Sequence, residues 1–224
     1  MAFPLVFTTE TLGIIGVTLQ MAFASVGISS ILGIALGLLL ERAQFPGKRI
    51  VVRICRTLMG TPPVVMGLVV YLLLMRRGPL GFLDWIFTVR GMVLAQVLII
   101  TPIICGMVYS YASRAAPQIR AFAKTMGATA FQARFLLVKE LSHEMYFAVI
   151  AGFGRSISEV GAVMIVGGNI QHKTRTMTTA ISLMRNMGNY SEAITLGVVL
   201  LIIAFLLQSV SDFLHKEVLT EENF

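Results

Sequence analysis

A short polar cluster interrupts an apolar stretch in the second half of the chain: Arg155, Ser156, Ser158 and Glu159. Charged side chains are costly in hydrocarbon, so such residues face protein or water. Arg155 and Glu159 are four residues apart, on one face of a helix, where they can simply neutralise each other. Alternatively, that face lines a water-filled passage in which the arginine and the serine hydroxyls lower the barrier to an anion, with Glu159 tempering how tightly it binds. The pattern leaves both hypotheses open.

The motifs of common catalytic sites are missing from the sequence. There is no GxxxxGK[ST] phosphate loop, no HExxH zinc motif and no GxSxG nucleophile elbow. Cys55 and Cys105 show no CxxC spacing, which argues against a metal site or a disulfide framework. We therefore predict no catalytic residue, no metal and no cofactor in this chain. If ATP drives its function, ATP and Mg²⁺ must bind to a separate polypeptide.

The elements that position the polar cluster are predicted to be membrane helices. Hydrophobic residues make up 56% of the 224 residues, charged residues only 13%, and the mean hydropathy is +0.83. Membrane-spanning backbone must satisfy its own hydrogen bonds, and the apolar runs are continuous rather than alternating, which favours helices over a barrel. The net charge of +7 lies in loops that flank these runs, so topology explains it better than nucleic-acid binding.

The order of apolar runs and basic loops predicts a single membrane domain over residues 1–224 with about five spans. The first residues lack the positive region of a signal peptide, so the first run is kept as a span. Basic residues concentrate in the segments 42–56 and 113–144. The positive-inside rule puts these loops and the C-terminus in the cytoplasm and the N-terminus outside. The predicted spans cover about residues 11–40, 61–75, 91–111, 146–168 and 193–214.

Two prolines, Pro62 and Pro63, stand at the start of the second predicted span. Proline lacks a backbone donor and disfavours helix at the residue before it, so the pair marks a helix start or a break at the membrane surface. The plain interpretation is a first-turn cap. The alternative is a gate element of a passage, formed by Pro62, Pro63, Val64 and Val65.

The loop over residues 113–144 has apolar residues at helical spacing on both sides of Gly127. This pattern predicts two short amphipathic helices joined near that glycine. They could form a hairpin on the membrane surface or a docking element presented to a cytoplasmic partner. A further face with Met177, Ile181, Met184 and Met187 predicts a short external helix.

Two stretches resemble a known family of transporters. The segment AFAKTMGATAFQARFLL resembles the EAA loop of ABC-transporter permeases, with Ala123 and Gly127 at matching positions. The PPVVMGL run at 62–68 is similar to a segment of molybdate permeases. The stretch RSISEVGAVMIVGGNIQHKTRTMTTAI is similar to the pattern of molybdate, tungstate and sulfate permeases, most of all the tungstate permeases. Its matching residues are Arg155, Glu159, Gly161, Ala162, Gly168, Asn169, Ile170, Thr174, Arg175 and Thr176.

This resemblance implies the fold of a type I ABC importer permease and an ATP-driven importer of an oxyanion. The family works as a homodimer with the passage at its interface, a cytoplasmic ATPase dimer beneath and an external binding protein that delivers the anion. The residues implied to couple to the ATPase are Ala123, Gly127, Ala128, Thr129 and Phe131.

Other classes of function stay open on the residues alone. Within the family, molybdate or sulfate could replace tungstate. A secondary carrier or channel driven by an ion gradient would need no ATPase, and its amphipathic loop would have no docking role. A structural anchor subunit of a membrane enzyme would leave Arg155 and Glu159 as purely internal residues.

Overall fold

Helices form nearly all the regular structure of residues 9–221, the part of the chain that this computed structural model describes; side chains are described for residues 9–209. The predicted all-α fold class is confirmed, since these residues contain no strand. The predicted external N-terminal residues 1–8 and the end of the predicted cytoplasmic tail, 222–224, lie outside the described residues. The helices are α1 Thr9–Arg42, α2 Lys48–Met59, α3 Pro63–Leu74, α4 Val89–Thr125, α5 Ala130–Glu140, α6 Ser142–Ser158, α7 Gly161–Gly167, α8 Met177–Asn186 and α9 Tyr190–Glu221.

Three of the described helices are long and apolar enough to cross a membrane, namely α1, α4 and α9. The pairs α2–α3 and α6–α7 also qualify when each pair is counted as one span, although α2 and α3 meet at 104° and α6 and α7 at 59°. By length and composition the chain is therefore a multi-pass membrane protein with up to five spans.

The centre of the bundle is the contact between α1 and α4. Glycines let the two backbones approach, because a Cβ at Gly33 would lie 2.7 Å from Ile104 Cβ, and one at Gly37 would lie 2.9 Å from the Cys105 carbonyl oxygen. Small residues allow such close packing. In lipid no hydrophobic force drives helices together, so their association depends on this close contact. Helix α6 completes this core by burying Phe153.

Helix α4 continues well beyond the predicted end of its span at residue 111. It runs without a break through Pro102 and Pro117 to Thr125. The first of the two short helices expected around Gly127 is therefore the C-terminal extension of α4, and only α5 is a separate helix. Alanine, arginine, glutamine and lysine dominate the extension, and their high helix propensity explains why it stays helical.

Part of the segment expected as a polar loop after the first span is helix α2. Its sequence, KRIVVRICRTLM, is amphipathic, and none of its residues is buried. Helix α3 begins at Pro63, directly after Pro62, so the prolines start a helix as the plain interpretation holds. Proline is favoured in a first turn because its missing donor has no partner there anyway.

The predicted fourth span is broken into α6 and α7, and the predicted external helix is α8. Met177 and Met184 are buried on α8, whereas Met187 lies just past its end and is 74% exposed. The predicted apolar face is therefore confirmed for Met177 and Met184, and the prediction is wrong for Met187.

Candidate functional site

The break between α6 and α7 is built around the side chain of Glu159. The residue is extended, with φ −74° and ψ 130°, and its carboxylate turns back into the protein. Glu159 Oε2 lies 3.1 Å from Arg155 Nη2, and Glu159 Oε1 accepts a hydrogen bond of 3.1 Å from the Ala162 amide. The carboxylate thus neutralises the guanidinium in the last turn of α6. It also accepts a hydrogen bond from an amide in the first turn of α7, where backbone donors lack intrahelical partners.

The two charges of this pair differ sharply in burial. The Glu159 side chain is 3% exposed, and the Arg155 side chain is 35% exposed. The backbone oxygen of Glu159 also accepts a 2.8 Å hydrogen bond from the Thr178 hydroxyl, which ties the break to α8. Glu159 is therefore a fixed internal anchor that holds a guanidinium whose outer part reaches the surface.

The proline–valine segment lies beside this anchor. Gly161 packs directly against Val64, and a Cβ at Gly67 would lie only 2.6 Å from Ala162 Cα. Val64 and Val65 are 54% and 49% exposed. The structure thus brings together the segment 62–65 and the Arg155–Glu159 pair, although they are about ninety residues apart in the sequence.

The two serines of the predicted cluster have different surroundings. Ser156 is fully buried, with its hydroxyl 3.1 Å from the Ser25 hydroxyl of α1, and its carbonyl accepts a 3.4 Å hydrogen bond from Gln96 of α4. Ser158 is exposed and donates to the Arg155 carbonyl at 3.2 Å. Ser158 accompanies Arg155 at the surface, whereas Ser156 holds α1, α4 and α6 together.

The predicted docking residues form a tight turn between α4 and α5. Gly127 has a φ of +71°, and the amide of Ala128 donates to the Ala123 carbonyl at 2.9 Å, as in a Schellman cap. Thr129 then caps α5 reciprocally with Gln132. Glycine readily adopts this left-handed conformation, which other residues resist.

Around this turn the surface is apolar and basic at once. Phe131 is 74% exposed, whereas Ala123 is buried and supports the turn from beneath. A cleft of about 470 Å³ next to the turn is lined by Arg42, Lys124 and Arg134 among others. The exposed apolar side chains of this region are Phe122, Met126, Phe131, Phe135 and Val138.

Sequence reasoning missed several polar contacts at the end of the bundle where α1 begins. Arg175 Nη1 lies 2.8 Å from Glu10 Oε1, which joins the loop before α8 to the start of α1. Thr174 donates to the Gly167 carbonyl at 2.6 Å. The sequence does show polar residues at the edges of apolar runs, which indicates polar contacts there. It does not show which residues they contact, because the partner of Arg175 is distant in sequence. Among the described residues, no group of three or more His, Cys, Asp or Glu side chains is placed to hold a metal ion.

Comparisons with known proteins connect this geometry to transport. A family model described as "Binding-protein-dependent transport system inner membrane component" matches residues 29–219. The tungstate uptake system permease protein TupB of Peptoclostridium acidaminophilum is 39% identical over 211 residues, covering 94% of this chain and 92% of that protein. A probable anion ABC transporter permease protein of Haloferax volcanii is 38% identical over 198 residues, covering 86% and 85%.

Among solved structures, the inward-facing MetNI methionine ABC transporter has a similar fold. The TM-score is 0.74 at 18% sequence identity, and the match covers 95% of this chain and 99% of that one. At this identity the likeness concerns the fold alone.

Proposed function

Because the chain belongs to the family of binding-protein-dependent transport system inner membrane components, we propose that it is the membrane-spanning subunit of an ATP-driven tungstate importer. The identity of 39% to a tungstate permease over nearly the full length of both chains supports the choice of anion. Tungstate is a tetrahedral dianion, so its passage through hydrocarbon requires a water-filled route with compensating positive charge.

The observation that carries the proposal is the half-exposed guanidinium of Arg155 held by the buried carboxylate of Glu159. A fully buried ion pair would offer nothing to a passing anion. Here the outer part of Arg155 is free to meet one, and Ser158, whose hydroxyl donates to the backbone carbonyl of Arg155, is exposed as well. Glu159 fixes the guanidinium in place and lowers the net attraction, so that the anion is released again.

The passage is proposed to run between two copies of the chain. Helix α3 presents an exposed apolar row beside the Arg155–Glu159 pair, and lipid or a second copy must cover it. A second copy would close the passage around the prolines and valines of residues 62–65, which would serve as its gate. The exposed members of the row are Val64, Val65, Leu68, Val69 and Leu72.

Coupling to ATP is proposed to occur at the turn between α4 and α5. A cytoplasmic ATPase dimer, which would hold ATP and Mg²⁺, would dock on Phe131 and its exposed neighbours around Gly127, Ala128 and Thr129. Since α4 is continuous from this turn into the bundle, movement of the turn would be transmitted to the membrane helices. This orientation places the N-terminus outside, where a binding protein would deliver the anion, and the C-terminus in the cytoplasm.

Uptake in cells tests this proposal. Cells that carry the ATPase and the binding protein should accumulate tungstate when this chain is present and lose that uptake when its gene is deleted. A plasmid-borne copy should restore it. Unchanged accumulation after the deletion would overturn the proposal, and selective loss of molybdate or sulfate uptake would overturn the choice of anion.

A further inference from the structure

Helix α2 has three different faces, which follow from its 100° rotation per residue. One face packs on α4, where Cys55 Sγ donates to the Pro102 carbonyl at 3.6 Å. A second face carries basic residues at positions i, i+4 and i+7. A third, about a third of a turn from each of the other two, is apolar and open, with Ile50 63% and Ile54 53% exposed. The members of the basic face are Arg49, Arg53 and Arg56.

The position of α2 matches the boundary between hydrocarbon and water. The helix turns by 104° from α3, which packs lengthwise on the other spans, so α2 lies across the bundle rather than along it. It meets α4 between Pro102 and Tyr109, and Lys48 Nζ lies 5.9 Å from the centre of the Tyr109 ring. Beyond this level α4 becomes polar and charged. Aromatic and basic residues of this kind mark the membrane interface.

Among residues 9–209, no acidic side chain pairs with the basic face of α2. The ion pairs of the described residues are Arg120–Glu41, Arg155–Glu159 and Arg175–Glu10, and α2 itself contains no Asp or Glu. Lys48 donates to the Glu41 carbonyl at 3.0 Å, which fixes the start of the helix. The arginines therefore present uncompensated positive charge to whatever lies beside them.

A cleft beside this face is large enough for a phospholipid headgroup. It has a volume of about 910 Å³ and is lined by Phe45, Lys48, Arg49, Arg53, Arg56 and Tyr109 among others. Arginine is suited to phosphate because its planar guanidinium donates two parallel hydrogen bonds. The apolar side chains on the adjacent face, Ile50 and Ile54, suit acyl chains.

We propose that α2 is an interfacial helix that binds an anionic phospholipid, with the lipid phosphate held by Arg49, Arg53 and Arg56 in this cleft. An amphipathic helix with basic residues on its polar face lies in the plane of the membrane, and its affinity increases with the anionic lipid content. In the orientation proposed above, α2 lies in the cytoplasmic leaflet, where anionic lipids attract basic residues by about 1 kcal/mol each, or about fivefold in affinity.

The experiment uses the purified full chain in a nonionic detergent, titrated with a fluorescent phosphatidylglycerol and with the matched phosphatidylcholine. We expect at least tenfold tighter binding of phosphatidylglycerol. R49Q/R53Q/R56Q should abolish this preference, and R49K/R53K/R56K should retain most of it because the charges remain. The matched control R76Q/R77Q/R90Q removes the same charge from exposed positions elsewhere and should leave the preference intact.

Three outcomes would overturn the proposal. Equal affinity of the unmodified chain for the two lipids would exclude an anionic headgroup site. If R49Q/R53Q/R56Q and R76Q/R77Q/R90Q lost the preference for phosphatidylglycerol equally, only the net charge of the chain would matter. Displacement of the lipid by sodium tungstate at matched ionic strength would assign the cleft to a free oxyanion instead. If the glutamine variant unfolds, the comparison of the two lipids on the unmodified chain and the displacement by tungstate still decide the proposal.

Discussion

Neutralising the two members of the Arg155–Glu159 pair is expected to cause unequal losses of stability, because their burial differs. R155Q leaves the Glu159 carboxylate, which is 3% exposed, without its cation. Breaking a buried pair in this way costs about 3–5 kcal/mol, and the remaining hydrogen bond from the Ala162 amide favours the lower end. We therefore expect a loss of about 3 kcal/mol for R155Q.

E159Q should cost much less. It leaves a guanidinium that is 35% exposed and can be hydrated, so the lost attraction is closer to that of an exposed pair, about 1 kcal/mol. The new amide oxygen can still accept from the Ala162 amide, and the guanidinium, which then faces the amide NH₂ group, can turn toward water. In the double variant R155Q/E159Q no charge is left buried, so it should resemble E159Q and be more stable than R155Q.

Thermal unfolding of the full chain in one detergent, followed by the fluorescence of Trp85, measures these differences. For a chain of this size 1 kcal/mol corresponds to about 2–4 °C, which predicts a fall of about 6–12 °C for R155Q and about 2–4 °C for E159Q. Arg76→Gln, at an exposed position, is the control and should leave the transition unchanged. A larger loss for E159Q than for R155Q, or a double variant equal to the sum of the singles, would refute this reasoning.

Further substitutions test the passage, the coupling turn and the packing of α3. Arg155→Ala should reduce tungstate uptake more than it reduces assembly with the ATPase; equal losses would favour a purely structural pair. Gly127→Val should weaken co-purification of the ATPase while membrane insertion stays normal, whereas Gly188→Val, also at a positive φ but in the turn after α8, should not; normal co-purification would count against docking at Gly127. Gly67→Ala should lower stability by about 2 kcal/mol, since its Cβ would lie 2.6 Å from the backbone of α7, while Gly197→Ala, with open space around it, should raise stability by up to about 1 kcal/mol. If thermal unfolding showed a change of stability in the same direction for both glycine variants, that result would contradict this packing.

Much of the fold could be predicted because its signals are local. Continuous apolar runs specify helices, paired prolines specify a helix start, and a glycine between two helical patterns specifies the turn at Gly127. Each of these features depends on residues within a few positions of one another. The structure agrees with the sequence at α1, at Pro63 and at the left-handed Gly127.

The rest depends on partners that are distant in sequence. The hydroxyl of Ser156 meets that of Ser25, 131 residues away, so its burial cannot be read from its own neighbourhood. The break at Glu159 needs the Thr178 hydroxyl as well as the local amide of Ala162. Helix α2 is hard to predict for a different reason, since its arginines fit a basic loop on one side of the membrane as well as they fit one face of a helix.

We propose that this chain conducts tungstate only when a partner hydrolyses ATP. Proteoliposomes that contain the chain and the ATPase, with the binding protein and tungstate on the opposite side of the membrane from the ATPase sites, test this proposal. We expect tungstate transport that requires ATP and Mg²⁺ and disappears with a non-hydrolysable ATP analogue. Equal transport without ATP, driven by an imposed ion gradient, would contradict it.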